Sequence, residues 1–217
     1  MANSLKLLSS ISQPKQARSE ETARRILDAA QALIEREGLQ ALSIPEVVRR
    51  ARSSTGSFYA RFKDKNALLA ALEERFFADV HRIVDELADP ERWRGRPTRE
   101  LLEACNREML RRLRLHARLV CAFMVRSTHE ATLAKRARRF HEQLTDRMRA
   151  LFLSRRHEMT HPEPEIAVAL AVEFAFTFIQ ARILFAAQHD ADPALDDDRL
   201  ARELTRMFLA YAGIESE

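Results

Sequence analysis

The chain has 217 residues, enough for one large domain or a small module joined to a larger one. Only four Gly and seven Pro, with 46% hydrophobic residues and abundant Ala, Leu, Arg and Glu, favour an all-helical protein and leave little glycine for a phosphate-cradling loop. The net charge of +4 is uneven: residues 1–65 hold 12 Lys and Arg against 7 Asp and Glu, whereas residues 66–217 hold 24 against 25. The positive excess therefore lies at the amino end, as attraction to a phosphate backbone requires, although Arg is abundant throughout. No P-loop, G-x-G-x-x-G or G-x-S-x-G pattern occurs in the sequence.

Residues 1–18 lack the apolar run of a signal peptide and read as a flexible N-terminal arm ending in Lys15 and Arg18. From Ser19 to Glu37, apolar Ala23, Ile26, Ala30, Leu33 and Ile34 recur at helical spacing. Ser19 is placed to cap that helix and Gly38 to stop it. Ser43 with Glu46 three residues on predicts a capping box for a short helix over 44–51, with Pro45 tolerated in its first turn. Ser54 predicts the cap of a second short helix that opens on small residues, Thr55, Gly56 and Ser57. Asp64 is placed as a third cap, before Lys65 and Leu68. Two short helices, the second leading with small hydrogen-bonding groups, form a unit that can enter a DNA major groove.

This block resembles the TetR family of bacterial transcriptional regulators. Ser43, Val47, Ala51, Ser54, Gly56, Ser57, Tyr59, Phe62, Lys63, Lys65 and Leu68 stand at the spacings of that family's cap, turn, G-T-x-Y-x-x-F and K-x-K-x-x-L elements. The resemblance covers roughly the first third of the chain. Arg52 and Ser53 depart from it by replacing the usual Gly and Val of the turn. A non-glycine residue held left-handed there costs on the order of 1 kcal/mol.

Geometry and resemblance together predict the DNA contacts. Ser43, Ser54, Tyr59 and Lys65 would grip phosphates; Thr55, Gly56 and Ser57 would face the groove floor; Arg61 would reach a phosphate or a guanine. Phe58 and Phe62 are expected in the core.

Further along, Leu69, Leu72, Phe76, Val80, Ile83 and Leu87 predict a long fourth helix, and Glu91 to Pro97 reads as a break between domains. Helices then follow on Leu102 to Leu113, Leu119 to Val125, Leu133 to Leu151, Ile166 to Ala187 and, after a polar DADPALDDD loop, Leu200 to Tyr211. The expected fold is all-α with about nine helices. A helix-turn-helix DNA-binding domain (19–65) would be joined through a long helix to a helical effector-binding and dimerisation domain (66–217).

The helix over 166–187 is long enough to span a bilayer, but Glu173, Gln180 and Arg182 interrupt it and its longest apolar run is seven residues. Each charge near a bilayer centre costs about 2.5–3.5 kcal/mol, so burial on several sides in a protein is the better reading, with no membrane partner. Packing against a second subunit would achieve that. The resemblance implies a homodimer through the last two helices.

His157-Glu158-Met159-Thr160-His161 is a literal H-E-x-x-H, the pattern of zinc hydrolases, in which two His one turn apart bind metal and Glu polarises a water. Pro162 pushes His161 out of helical geometry, so the segment is expected to be an ordinary helix end, without metal, cofactor or catalysis. A helical zinc hydrolase is the alternative reading. Cys105 and Cys121 have no C-x-x-C spacing and read as reduced thiols of a cytoplasmic protein.

Cys105, Met109, Phe123, Met124, Phe140, Leu144, Phe174 and Phe178 lie on helix faces that could converge. The resemblance implies a ligand cavity among such helices, holding a small apolar effector. Its occupation would respace two heads reading a palindromic double-stranded DNA operator, with repression as the implied outcome.

Overall fold

The computed structural model describes residues 2–185 and 196–215. Nine α-helices and three short 3-10 turns make up its secondary structure, without strands among the described residues. Most of the expected DADPALDDD loop, and Ala186 and Ala187 at the end of the expected apolar helix, lie outside the described residues. The chain divides into two compact units, Met1–Phe76 and Phe77–Glu217. The division falls inside the fourth helix rather than at the expected 65/66 boundary or at the break of residues 91–97.

The first unit comprises α1 (Ala2–Glu37), α2 (Ile44–Arg50), α3 (Thr55–Tyr59) and the start of α4 (Lys65–Leu87). α1 begins at Ala2, so the segment expected as an arm continues the first helix and Ser19 caps nothing. The far end follows expectation: Gly38 turns at φ 87° and donates its N–H to the Ile34 carbonyl at 2.8 Å. Helices as short as α2 and α3 do not persist alone; here they are held by a shared core. Ile26, Leu33 and Ile34 of α1, Val47 of α2, Phe58 of α3 and Leu68 and Leu72 of α4 are almost wholly buried.

The second unit holds the rest of α4, α5 (Thr98–Leu115), α6 (Ala117–Ser127), α7 (Ala131–Leu153), α8 (Pro164–Phe185) and α9 (Asp197–Ala212). Ile83, Val84 and Leu87 of α4 belong to its main core, with Leu101, Leu102, Met148, Phe152, Val172, Phe208 and Leu209. The division inside α4 follows from this: its first turns bury leucines in one core and its last turns bury apolar residues in another. The stretch 91–97 is no linker either, because Trp93 is buried and its indole N–H donates to the Leu87 carbonyl at 2.7 Å. A smaller core joins Leu110, Ile179, Leu200, Ala201 and Leu204. Between α5 and α9, the buried Asn106 amide donates to the Thr205 hydroxyl at 3.1 Å.

α8 is apolar on most of its surface, and Pro164–Arg182 is long and apolar enough to cross a membrane by length and composition. It packs against α5, α6, α7 and α9, and its Glu173 lies 3.5 Å from the His141 ring of α7. One stripe stays uncovered in this chain: Ile166, Leu170 and Phe174, spaced every four residues, are 52%, 54% and 45% exposed. On α9, Met207 and Tyr211 are similarly bare.

Candidate functional site

The α2–α3 turn is where sequence and geometry meet most directly. Ala51 ends α2; Arg52 donates to the Arg49 carbonyl at 3.2 Å and Ser53 to the Val48 carbonyl at 3.0 Å. This reciprocal pair closes a Schellman turn whose left-handed position is normally glycine. Arg52 occupies it at φ 48°, the one non-glycine residue with positive φ among those described. The turn geometry is kept despite the unusual residue.

Beyond the turn, Ser54 caps α3 as expected: its Oγ accepts from the Ser57 N–H at 3.1 Å and donates to the Ser57 hydroxyl at 2.9 Å. Thr55 and Gly56 are exposed on the first turn, and a Cβ at Gly56 would meet nothing within 4 Å. Phe58 is buried beneath them, with Tyr59 set edge-on to it at 5.3 Å and 54% exposed. Phe62 completes the aromatic base, 5.5 Å from Phe58. The short helix thus has an apolar underside and an outer surface of small polar groups and one phenol. Asp64 then caps α4 by accepting from the Ala67 N–H at 2.8 Å, beside half-buried Lys65.

Two expected roles fall out differently. The predicted capping box at α2 does not form: Ser43 makes no side-chain cap bond. Glu46 turns instead to Arg49, at 2.5 Å and 2.8 Å, and to Arg50 at 2.6 Å. Those guanidinium hydrogen bonds lower its pKa to about 2. Two charge-assisted partners outcompete one backbone amide, which leaves the Ser43 hydroxyl exposed and uncommitted. Arg61 is not free to reach outward. Its Nε and Nη2 donate to the Ser19 carbonyl and hydroxyl at 3.0 Å and 3.1 Å, and Nη1 donates to the Ser57 carbonyl at 2.7 Å. It pins α3 to α1. Arg52 and Lys63 are exposed cations bracketing α3 that were not among the expected contacts. Their positions in the turn and in the K-x-K pattern were the available signal.

Residues 26–72 match the family model described as bacterial regulatory proteins, tetR family. The matched stretch lies within the first unit and takes in α2, α3 and the start of α4. A stretch of 50 residues is 42% identical to the uncharacterized HTH-type transcriptional regulator YvdT of Bacillus subtilis (strain 168). That stretch is 23% of this chain and 26% of YvdT, so the sequence likeness spans about a quarter of the relative's length. The fold likeness extends further. A protein from Mesorhizobium loti MAFF303099, classed with TetR-family transcriptional regulators, superposes with TM-score 0.73 at 19% identity, over 89% of this chain and 97% of its own. The transcriptional regulator FadR of Bacillus subtilis, solved in complex with stearoyl-CoA, gives TM-score 0.62 at 17% identity, over 88% and 99%.

In the second unit, the eight residues expected around an effector do not gather in one place. Cys105 and Leu144 are buried in the main core, where Phe140 packs alongside and stacks on Phe77 at 4.1 Å. Met109 and Phe178 pack against the smaller core. Phe123 is buried on α6 and Met124 half-buried beside it. Phe174 belongs to the bare stripe of α8, stacked on Phe178 at 5.8 Å. A shallow cavity of about 330 Å³ opens between α4 and α7, lined by Asp85, Asp89, Arg147 and Ser154 among others and by none of the eight. Burial drives the Cys105 thiol up to about 12, which disfavours the reactive thiolate at neutral pH.

The H-E-x-x-H segment does not form the helical turn that its metal-binding pattern requires. His157 and Glu158 lie in a 3-10 turn past the end of α7, and His161 lies in the irregular stretch before α8. Glu158 accepts from the Thr98 hydroxyl at 2.6 Å and from Arg155 at 3.2 Å, while the His161 Nδ1 accepts from the Glu163 N–H at 3.1 Å. No group of three or more His, Cys, Asp or Glu able to hold a metal exists among the described residues. The segment instead ties down the end of α9: the His161 N–H donates to the Ala212 carbonyl at 3.1 Å and the Thr160 hydroxyl to the Gly213 carbonyl at 2.9 Å. Nothing among the described residues supports the hydrolase alternative.

Proposed function

We propose that the chain is a ligand-responsive transcriptional repressor acting in the cytoplasm as a homodimer on a palindromic DNA operator. The observation that carries the reading is α3: a five-residue helix, matched by the family model, with exposed Thr55 and Gly56 over a buried Phe58. Thr55, Gly56 and Ser57 meet base edges in the major groove; Ser43, Ser54, Tyr59 and Lys65 hold phosphates and set register. Arg61 acts as a clamp keeping α3 on α1, while Arg52 and Lys63 add phosphate contacts.

The dimer forms through α8 and α9. Their bare apolar residues, Ile166, Leu170, Phe174, Met207 and Tyr211, favour a covered surface over exposure to water. A two-fold dimer requires two half-sites spaced by whole turns of the duplex. The effector is a small, mostly apolar molecule held among the helices of the second unit; the stearoyl-CoA complex of FadR supports an apolar ligand in a like fold. Release from DNA then follows from tighter effector binding to a form that fits the operator poorly.

Selection of bound duplexes from random DNA at fixed salt tests the reading. Enrichment of a two-fold symmetric motif is expected; recovery of unrelated sequences, or a strictly monomeric protein, overturns it.

A further inference from the structure

We infer that Arg126 is the polar anchor of the effector site and that the effector carries an uncharged oxygen acceptor, of the carbonyl type, on its apolar body. The inference rests on the effector reading above. Arg126 lies on α6 in the same stripe as the buried Leu119, Ala122 and Phe123, where helical spacing calls for another apolar residue. It is only 8% exposed. Burial of a guanidinium is costly unless its charge and its donors are matched.

The charge is matched. Nε and Nη2 donate side-on to the Glu130 carboxylate at 3.0 Å and 3.1 Å, with Glu130 43% exposed at the rim. The donors are not: Nη1 is buried and has no partner. Its two N–H groups point away from the carboxylate edge because the guanidinium fork is rigid and planar. A charged donor left without an acceptor in the interior is the costly case, and a bound acceptor relieves it. Since Glu130 already neutralises the cation, a second carboxylate would add an unmatched buried charge. A neutral carbonyl oxygen satisfies Nη1 without that cost. α6 packs against α5, α7 and α8, so a ligand seated here touches the helices that the effector reading requires.

The test uses full-length protein without DNA and shape-matched probes: 2-decanone against 2-methyl-1-decene, and acetophenone against α-methylstyrene, with decanoate as the anionic arm. In the wild type, at least one ketone is expected to bind roughly ten-fold tighter than its alkene, the ratio a charged hydrogen bond supplies. Arg126→Met is expected to abolish that ratio, and Arg126→Gln, with a neutral amide donor in place of the guanidinium, to reduce it. Glu130→Gln, which leaves Nη1 in place, is expected to keep it. Equal binding of ketone and alkene by the wild type, or no binding of any probe, overturns the inference. So does a ratio that survives both Arg126 substitutions, or decanoate binding tighter than 2-decanone. Operator selection, scored separately, fails only if the regulator reading fails.

Discussion

Thr160 stands directly against Gly213: a Cβ built on the glycine would lie 2.1 Å from the Thr160 Oγ, while that hydroxyl donates to the Gly213 carbonyl at 2.9 Å. Gly213 also sits at φ 66°, closing a Schellman turn in which the Ile214 N–H reaches the Leu209 carbonyl at 2.9 Å. Gly213→Ala is therefore expected to lose about 2 kcal/mol or more, from left-handed strain and the clash together. Thr160→Ala in the same chain should recover part of that loss, because it removes the clash and leaves the strain. Thermal unfolding of both singles and the double measures the coupling; strict additivity would refute the contact.

The opposite sign is expected at Arg52. With φ at 48°, it holds a conformation that glycine adopts freely. Arg52→Gly is predicted to stabilise the first unit by about 1 kcal/mol, read as a higher melting temperature. If Arg52 also contacts phosphate, the same variant binds operator more weakly and with a shallower salt dependence.

Gly56 separates stability from binding. Since nothing stands within 4 Å of the site of a new Cβ, Gly56→Ala should raise the stability of the free protein by up to about 1 kcal/mol through helix propensity. Operator affinity, measured by fluorescence anisotropy, is expected to fall at least roughly ten-fold, because the methyl group holds α3 off the bases. Unchanged affinity would remove Gly56 from the interface.

Glu46 predicts an acid response. Its hydrogen bonds to Arg49 and Arg50 lower the carboxyl from 4.5 to about 2, so the unfolded chain takes up a proton at higher pH than the folded one. The stabilisation it contributes is complete above 4.5 and is lost as pH falls toward 2. Glu46→Gln should be less stable than the wild type above pH 4.5, with the gap closing as pH falls through about 2. An NMR titration placing the Glu46 carboxyl near its ordinary value would contradict this.

Cys105 is expected to resist labelling by iodoacetamide at pH 8 in the native protein, given a thiol driven up to about 12 by burial. Rapid modification without unfolding would show that the α5 core opens.

The helix order was legible in the sequence because each helix buries one stripe, and a stripe leaves a period. Ser54, Asp64 and Gly38 were legible for the same local reason: each satisfies a backbone group within four residues of itself. Ser43 lost its expected cap bond to a competing partner, and Ser19 caps nothing because α1 runs straight through it. Arg49 and Arg50 drew Glu46 away from Ser43, and the Ser19 carbonyl and hydroxyl serve instead as acceptors for Arg61, forty-two residues on. The break at residues 91–97 concealed a buried Trp93, since turn residues announce a change of direction and say nothing of what the turn packs against.

Periodicity, capping and the ordered block from Ser43 to Leu68 sufficed to establish an all-helical chain with a helix-turn-helix near its amino end, because those features depend on neighbours close along the chain. Which faces meet was settled only by folding. Cys105 and Leu144 went to one core, Met109 and Phe178 to another, and Phe174 to the surface. Arg126, charged within an apolar stripe, is buried with Glu130 satisfying two of its three nitrogens and nothing satisfying the third. Long-range packing depends on the angles and separations between helices, and a one-dimensional pattern does not contain them.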